Sequence, residues 1–265
     1  MDPMTLIGIG GAFLLLVVGI VMEGTNPAAL IGVPAFLIVV VPTVLVSLAG
    51  LTKHDIKFVI DATKRTISGT VESASASIAL LVRFAETARK EGLLALEEAS
   101  RSIEDPFLRK GINLAVDGTD PEELHAILEA EIRSKRAEHK VAAKFYTDMG
   151  GFAPTLGIVG AVTGLIHVLG NLSDPQAAGV GIAGAFVATF YGVAFANVFF
   201  LPFANKVKRI ADAEMGRMEL LLDGILAIQA GANPRIIEEK LVAHLTTAER
   251  AVHQERMLGE DQAAA

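Results

Sequence analysis

The sequence contains no cysteine, and positively charged side chains are missing from two long stretches. Without cysteine the chain has no disulfide framework, no thiolate metal site and no thiol nucleophile. All 23 lysines and arginines fall within 51–144 or 206–256, and none falls in 1–50 or 145–205. The net charge of −7 therefore averages over two different environments and says little about binding partners.

The stretches without cations are strongly apolar. The chain is 52% hydrophobic with a mean hydropathy of +0.49, too apolar for an ordinary soluble domain. A helix needs roughly 17–25 apolar residues to cross a membrane. Four runs are long enough, at 5–22, 28–48, 152–172 and 180–204. Turn-forming residues join the first to the second and the third to the fourth, so the sequence predicts two helical hairpins.

Cations flank these runs on one side only. They follow the second run, precede the third and follow the fourth, while neither short turn carries one. By the positive-inside rule, both termini and the long central segment face the cytoplasm of a bacterial inner membrane. The sequence thus predicts an all-α polytopic membrane protein with four transmembrane helices and a helical cytoplasmic domain. Its segments are a first hairpin at 1–50, a cytoplasmic helical domain at 51–148, a second hairpin at 149–204 and cytoplasmic C-terminal helices with a tail at 205–265.

The polar segments show helical periodicity and no strand pattern. Apolar residues recur at helical spacing from Ile78 to Ala88, and Gly92 breaks this pattern. Asp120 and Pro121 favour a helix start, from which an uninterrupted pattern runs into the third apolar run. A further amphipathic helix follows the fourth run and is expected to end near Gly231.

A carboxylate inside a membrane is the usual sign of ion coupling, because burying it is costly. The acids nearest the four runs are Asp2, Glu23, Asp148 and Asp174, all at predicted boundaries. His167 lies toward the periplasmic end, where an interfacial or helix–helix hydrogen bond is the more common role. If this chain conducts ions, a partner must therefore supply the ion-carrying acid.

The third and fourth runs have the composition of contact helices. Small residues at helical spacing allow close approach where lipid gives no hydrophobic drive for association. Such residues are Gly157, Gly160 and Gly164 in one run and Gly181, Gly184 and Ala188 in the other. Two prolines lie in these runs, and each lacks the N–H that would pair with a backbone carbonyl of the preceding turn. Several hydroxyl side chains are also present, although threonine hydroxyls commonly hydrogen-bond to their own helix. These residues are Pro154, Pro202, Thr155, Thr163, Thr189 and Tyr191.

Four stretches together resemble the MotA/PomA stator subunits of the flagellar motor, a branch of the MotA/TolQ/ExbB proton channel superfamily. They are RFAETARKEGLLALE at 83–97, APTLGIVG at 153–160, ATFYG at 188–192 and NVFFLP at 197–202. The order of these stretches and the arrangement of the apolar runs match that family over nearly the whole chain.

The resemblance implies a mechanism and partners. Five such subunits would encircle a dimer of a MotB-like single-span protein that carries the ion-binding aspartate. Ion passage would turn the ring within the membrane lipid and push the rotor switch protein FliG. By position, Arg89 and Glu97 resemble the rotor-contact charges. If the helix continued past Gly92, their spacing of eight would place them about 80° apart around it.

The resemblance also implies residues of the ion pathway. Pro154 and Pro202 resemble the prolines that couple ion binding to conformational change, and Thr189 resembles the pore-side threonine. Thr155 is a further candidate. Sodium-type members carry a second threonine seven residues after the first proline, where this chain has Ala161. Since Na⁺ needs several oxygen ligands and a proton needs only a titratable acid, the sequence predicts proton coupling.

Other classes fit less well. A TolQ/ExbB-type energy-transducing subunit would have three spans, and a small-molecule transporter would normally place charged groups at midplane. An enzyme is not expected, because no nucleophile–base pair, metal cluster or phosphate loop is evident, and no cofactor is implied. Residues 51–144 hold 15 basic and 16 acidic side chains, so they form no patch of one sign for nucleic acid.

Overall fold

The structure is a computed structural model that describes residues 3–69 and 73–264, with side chains described as far as residue 255. This part of the chain is helical and contains no strand, which confirms the predicted all-α fold. Short 3-10 turns lie at Pro27–Leu30 and Leu93–Ala95, and a π-helical segment lies at Phe195–Phe200. The α-helices are α1 Pro3–Met22, α2 Val33–Ala49, α3 Asp55–Ser68, α4 Ala74–Glu91, α5 Leu96–Ser100, α6 Pro106–Val116, α7 Pro121–Gly170, α8 Pro175–Ala194, α9 Leu201–Gln229, α10 Pro234–Val242 and α11 Thr247–Ala264.

Three helical runs combine the length and apolarity needed to cross a membrane: α1, α7 and the run Pro175–Gln229. No residue of α1 is buried, as expected of a helix that is apolar all round and faces lipid. The 17 residues of α2 are apolar as well, but α2 is shorter than the other three. The chain is therefore an all-helical membrane protein, and a count of four crossings stays a prediction.

Several helices begin with the same local chemistry, an aspartate or asparagine followed by proline. The side-chain oxygen accepts a hydrogen bond from a backbone N–H of the first turn, and proline fits there because its missing N–H would have had no helical partner. The distances from oxygen to nitrogen are 2.9–3.1 Å. The capping residues are Asn26, Asp105, Asp120, Asp174 and Asn233. The predicted helix start at Asp120 is confirmed.

A capping box begins α3. The carboxylate of Asp55 accepts a hydrogen bond of 2.8 Å from the backbone N–H of Thr52, and the Thr52 hydroxyl accepts one of 3.4 Å from the backbone N–H of Asp55. The backbone hydrogen bond holds the pKa of Asp55 below its usual value, followed in size by the bond to the Thr52 side chain.

The chain divides into two compact units. One combines Met1–Thr70 with Glu138–Ile210, and the other combines Val71–Ala137 with Ala211–Ala265. Packing defines these units rather than position relative to a membrane. The four segments predicted from the sequence therefore stay a prediction.

The second unit has an aliphatic core of ordinary globular type. Its central side chains are less than 2% exposed, and they come from α4, α6, α7, α9 and α10. They include Ile78, Leu81, Leu108, Ile112, Leu124, Leu128, Leu221, Ile225, Ile237 and Leu241. The helix that follows the fourth apolar run was predicted to end near Gly231, and this is confirmed. It stops at Gln229, and Gly231 takes a φ of +68°.

A half-buried ion pair ties three helices of this unit together. The guanidinium of Arg217 in α9 donates one hydrogen bond to the Asp105 carboxylate and another, of 3.2 Å, to the Ser77 hydroxyl in α4. The same Asp105 side chain caps α6 by accepting from the backbone N–H of Leu108 at 2.9 Å. The Asp105 carboxylate thus accepts hydrogen bonds both from the Arg217 guanidinium and from the N-terminal end of α6.

The first unit has a smaller aromatic core beside its apolar helices. Phe145 and Met149 of α7 pack there with Val59 and Ala62 of α3 and Val207 of α9. The hydroxyls of Tyr146 and Thr63 lie 2.5 Å apart, and the Tyr146 and Phe203 rings meet with centroids 4.6 Å apart.

Candidate functional site

Small residues form the contact between α7 and α8. A methyl group added to Gly192 would lie 2.6 Å from the carbonyl oxygen of Ala153, and one added to Gly164 would lie 3.0 Å from that of Gly181. A methyl group at Gly160 would lie 2.7 Å from the Cβ of Ala188. The two helices therefore approach closely at these positions, as predicted for the small-residue face. The inclusion of Gly184 in that face is wrong, because no neighbouring described residue comes within 4 Å of a methyl group there.

One side of this hairpin is covered by α2. Ala35 and Val39 of α2 pack with Ala188 in a small buried cluster, which Leu156 and Tyr191 border. The backbone N–H of Gly32 donates a hydrogen bond of 3.3 Å to the Tyr191 hydroxyl. The Gly32 N–H lies at the start of α2, where no helical carbonyl is available to accept its hydrogen bond, and the Tyr191 hydroxyl takes that place.

Among the described residues, the opposite side of the hairpin is only partly covered. On a 3.6-residue helix, Pro154 and Ala161 lie on the flank of α7 that faces away from α2, and Thr189 lies on the corresponding flank of α8. The Cα of Pro154 would be 3.1 Å from a methyl group at Gly192. Three of the predicted pathway residues, each half-buried, thus share one face, while Thr155 lies about 100° further around α7.

The threonine hydroxyls bond to their own helices. Thr189 donates to the carbonyl of Ala185 at 3.1 Å, Thr155 to that of Phe152 at 2.8 Å and Thr163 to that of Val159 at 2.8 Å. This is the common threonine geometry that the sequence favoured. Each hydroxyl oxygen keeps lone pairs that can still accept a hydrogen bond or coordinate a cation.

The π-helical segment Phe195–Phe200 comes directly before Pro202. The N–H of Leu201 donates to the carbonyl of Ala196, five residues back rather than four. Because Pro202 has no N–H, the α-helical pattern would lose a hydrogen bond here, and the wider turn redistributes the remaining bonds. The Asn197 side chain donates to the carbonyl of Val193 at 2.9 Å, which gives that carbonyl a partner.

Aromatic rings surround this segment. The Phe195 ring lies 5.8 Å from that of Tyr191, 6.5 Å from that of Phe36 and 5.4 Å from that of Phe199, measured between centroids. Phe199 in turn meets Phe13 of α1 at 6.3 Å. The widened turn is therefore packed against both helices of the first hairpin.

No carboxylate lies in the middle of an apolar helix in the described part of the chain. Glu23 follows the end of α1, Asp174 caps α8, and Asp148 pairs with Lys144 at 2.7 Å. Asp2 lies outside the described residues. His167 is exposed, three residues before the end of α7. Glu23 and Asp174 lie at helix ends, whereas Asp148 lies within the continuous helix α7. The positions of all three at membrane boundaries stay a prediction.

The two predicted rotor-contact charges lie in the second unit, on different helices. Arg89 is in the last turn of α4 and Glu97 in the first turn of α5, and both are exposed. Gly92 between them has a φ of +86°, which ends the helix. The 80° relation on a continuous helix is therefore wrong, because the chain turns at Gly92. Glu97 pairs with Arg101 at 3.7 Å.

Comparison with known proteins covers almost the whole chain. The model of the MotA/TolQ/ExbB proton channel family matches residues 99–220. Motility protein A of Bacillus subtilis (strain 168) is 36% identical over 254 residues, which cover 94% of this chain and 93% of the relative. The chain belongs to the MotA/PomA family. Chemotaxis protein PomA of Vibrio alginolyticus is 34% identical over 252 residues, with 95% and 98% covered.

Solved structures of the same family have this fold. The structure of C. jejuni MotAB matches with a TM-score of 0.89 and 35% identity, covering 93% of this chain and 97% of that one. The flagellar MotAB stator complex from Bacillus subtilis matches with a TM-score of 0.85 and 34% identity, covering 94% and 98%.

Two features of this MotA/PomA chain were missed from the sequence. The π-helical segment had one signal, a proline within an apolar helix, but a proline alone is also compatible with a simple kink. The hydrogen bond between Gly32 and Tyr191 joins residues 159 positions apart, and no local pattern marks such a pair.

The close contact between α7 and α8 makes a stability prediction. In Gly192→Ala the new methyl group meets the carbonyl oxygen of Ala153 and two Cα atoms, and none of these can move without separating the helices. We expect a loss of about 2 kcal/mol in stability, typical of overpacking. Thermal unfolding of the detergent-solubilised protein, followed by size-exclusion chromatography, measures it.

Gly184→Ala in the same helix is the matched control, because no described residue beyond its own helical turn lies within 4 Å of a methyl group at that position. Equal unfolding temperatures for the two variants would contradict the close-contact assignment.

Proposed function

We propose that this chain is the membrane ring subunit of a flagellar stator, which couples ion flow across the inner membrane to rotation of the flagellum. The observation that carries the proposal is the match to MotAB stator structures over more than nine-tenths of the chain. Matches of this coverage include both apolar hairpins and the charged helices between them. The proposed orientation has both termini in the cytoplasm, as the cation distribution requires.

The ion-carrying acid must come from a partner. The described apolar helices hold no mid-span carboxylate, yet Pro154, Ala161 and Thr189 share one partly exposed face. A MotB-like protein with one membrane helix would place its aspartate against this face. The Thr189 oxygen could then accept a hydrogen bond from the protonated acid. Pro154 and Pro202 remain the proposed coupling residues, and Thr155 a pathway candidate of lower rank because of its distance around the helix.

Torque would pass to the rotor through Arg89 and Glu97. Both side chains are exposed at the ends of neighbouring helices, where they can meet charges on a switch protein such as FliG. A ring of five copies around two copies of the partner is the assembly that the family resemblance implies. We expect no enzymatic activity, since the relatives are named as motility and stator proteins.

The TolQ/ExbB branch of the same family is the second candidate. The family model includes it, and it uses related ion coupling. The curated relatives that cover nine-tenths of this chain are motility proteins, and the tight apolar hairpin of α1 and α2 argues for the stator branch.

The stator assignment predicts a specific defect on deletion. In a strain with no other stator genes, removal of this chain should leave complete flagella that do not rotate, because a stator is needed for torque and not for filament assembly. Electron microscopy and tethered-cell rotation measure the two properties separately. Loss of the filaments, or rotation that persists, would contradict the proposal.

The rotor-contact assignment predicts the effect of charge reversal. Arg89→Glu and Glu97→Arg should each lower torque several-fold, since a like charge would then face the rotor. The amount of protein in the membrane should not change, because both side chains are exposed. Arg235→Glu and Glu239→Arg, at exposed positions of the same unit, are matched controls. Normal torque in both single reversals and in the double variant would refute the assignment.

Ion selectivity is predicted from the missing hydroxyl at Ala161. Without that oxygen, Na⁺ would lack a ligand in place of its hydration shell, whereas a proton needs only a titratable acid. Rotation speed should therefore be independent of external sodium at fixed pH and should fall when a protonophore collapses the proton gradient. A speed that rises with sodium and resists the protonophore would show sodium coupling instead.

A further inference from the structure

One leucine of the second unit is exposed far beyond what its chemistry favours. Among the described residues of that unit, three large apolar side chains are more than one-third exposed. Leu94 is 74% exposed, compared with 60% for Val252 and 58% for Ile236. Single exposed apolar residues are normal on protein surfaces. Leu94 therefore needs a second observation before it suggests a function.

The backbone around Leu94 is fixed on both sides. Leu93 packs against the core of the unit, and Leu96 is fully buried. Between them runs a 3-10 turn that begins after Gly92, whose φ of +86° is one that side-chain-bearing residues rarely adopt. Leu94 cannot turn inward without displacing Leu93 or Leu96. The backbone of Leu94 is thus held in place while its side chain extends into solvent.

Charges of opposite sign lie on the two sides of this leucine. Arg89 and Lys90 occupy the last turn of α4, and Glu97 and Glu98 occupy the first turn of α5. All four are exposed. The helix dipoles favour this placement, which explains the charges but not the leucine between them. An apolar centre with a charged rim is the usual composition of a protein interface.

We propose that Leu94 is the apolar anchor of the rotor contact. It would insert into an apolar socket on the rotor switch protein, which presents an acidic group toward Arg89 and a basic group toward Glu97. The inference rests on the proposed stator function and deepens it. Charge pairs at a rim mainly set the rate and orientation of encounter, whereas a buried anchor slows dissociation. Because the backbone here is already ordered, only the side chain of Leu94 loses freedom on binding, which favours this role.

The test replaces Leu94 by a polar residue of similar volume. In Leu94→Gln we expect the dwell time of fluorescently tagged stators at the motor to fall roughly tenfold or more, the range for burial of one leucine side chain. Leu94→Phe keeps an apolar group and should retain most of the dwell time. Ile236→Gln removes an exposed apolar side chain elsewhere in the unit and should have no effect. Membrane abundance and co-purification of the MotB-like partner should be unchanged in all three.

A cross-linking arm identifies what covers Leu94. The chain has no cysteine, so Leu94→Cys introduces a single thiol. A short bifunctional maleimide–photoreactive reagent in motile cells should join it to the rotor switch protein. Cross-linking to a second copy of this chain instead would overturn the proposal and assign the leucine to a subunit interface.

The outcomes separate this inference from the stator assignment. A normal dwell time for Leu94→Gln, with a short one for Arg89→Glu, would refute the anchor and keep the stator function. Equal loss in Leu94→Gln and Ile236→Gln would also refute it, since the effect would not be specific to the turn. If deletion of the chain leaves rotation intact, the stator function fails before the anchor is considered.

Discussion

The close approach of α7 and α8 depends on the absence of side chains. Inside a membrane, lipid is as apolar as leucine, so burial of apolar surface gives helices little reason to associate. Van der Waals contact between backbones then becomes the main source of attraction, and it requires glycine or alanine at the points of closest approach along the seam. The seam also fixes the rotation of both helices. It therefore decides that Pro154, Ala161 and Thr189 share a face and that α2 covers the other one.

The second unit is stabilised in a different way, although α7 and α9 contribute to both. Its core is a set of leucine and isoleucine side chains that are almost fully buried, as in a soluble protein. Polar contacts then set the helix ends, through aspartate–proline caps and the shared Asp105 carboxylate. Burial of apolar side chains is favourable in water but gains little in lipid. The two parts of the sequence therefore differ in charge and in side-chain size.

Much of this could be predicted from the sequence where the cause is local. Asp120 with Pro121 marks a helix start, Gly92 marks an end, and the glycines of the third and fourth runs mark a contact. The conformation of the turn after Gly92 could not be predicted, because it depends on how Leu93 and Leu96 enter a core made by distant helices. The hydrogen bond from Gly32 to Tyr191 has the same origin. The π-helical segment before Pro202 depends on packing against Phe13 and Phe36 as well as on the proline.

The direction of the Thr189 hydrogen bond has a consequence for any acid that meets it. Its hydrogen is directed at the carbonyl of Ala185, so the oxygen faces outward with lone pairs alone. A neutral carboxyl group can donate to those lone pairs, whereas an ionised one would accept a hydrogen bond only if the hydroxyl hydrogen turned away from the Ala185 carbonyl. The hairpin would therefore hold a partner more tightly while its acid is neutral than after it has lost its proton. Because the affinity differs between the two charge states, loss of the proton would favour separation of the hairpin from the partner.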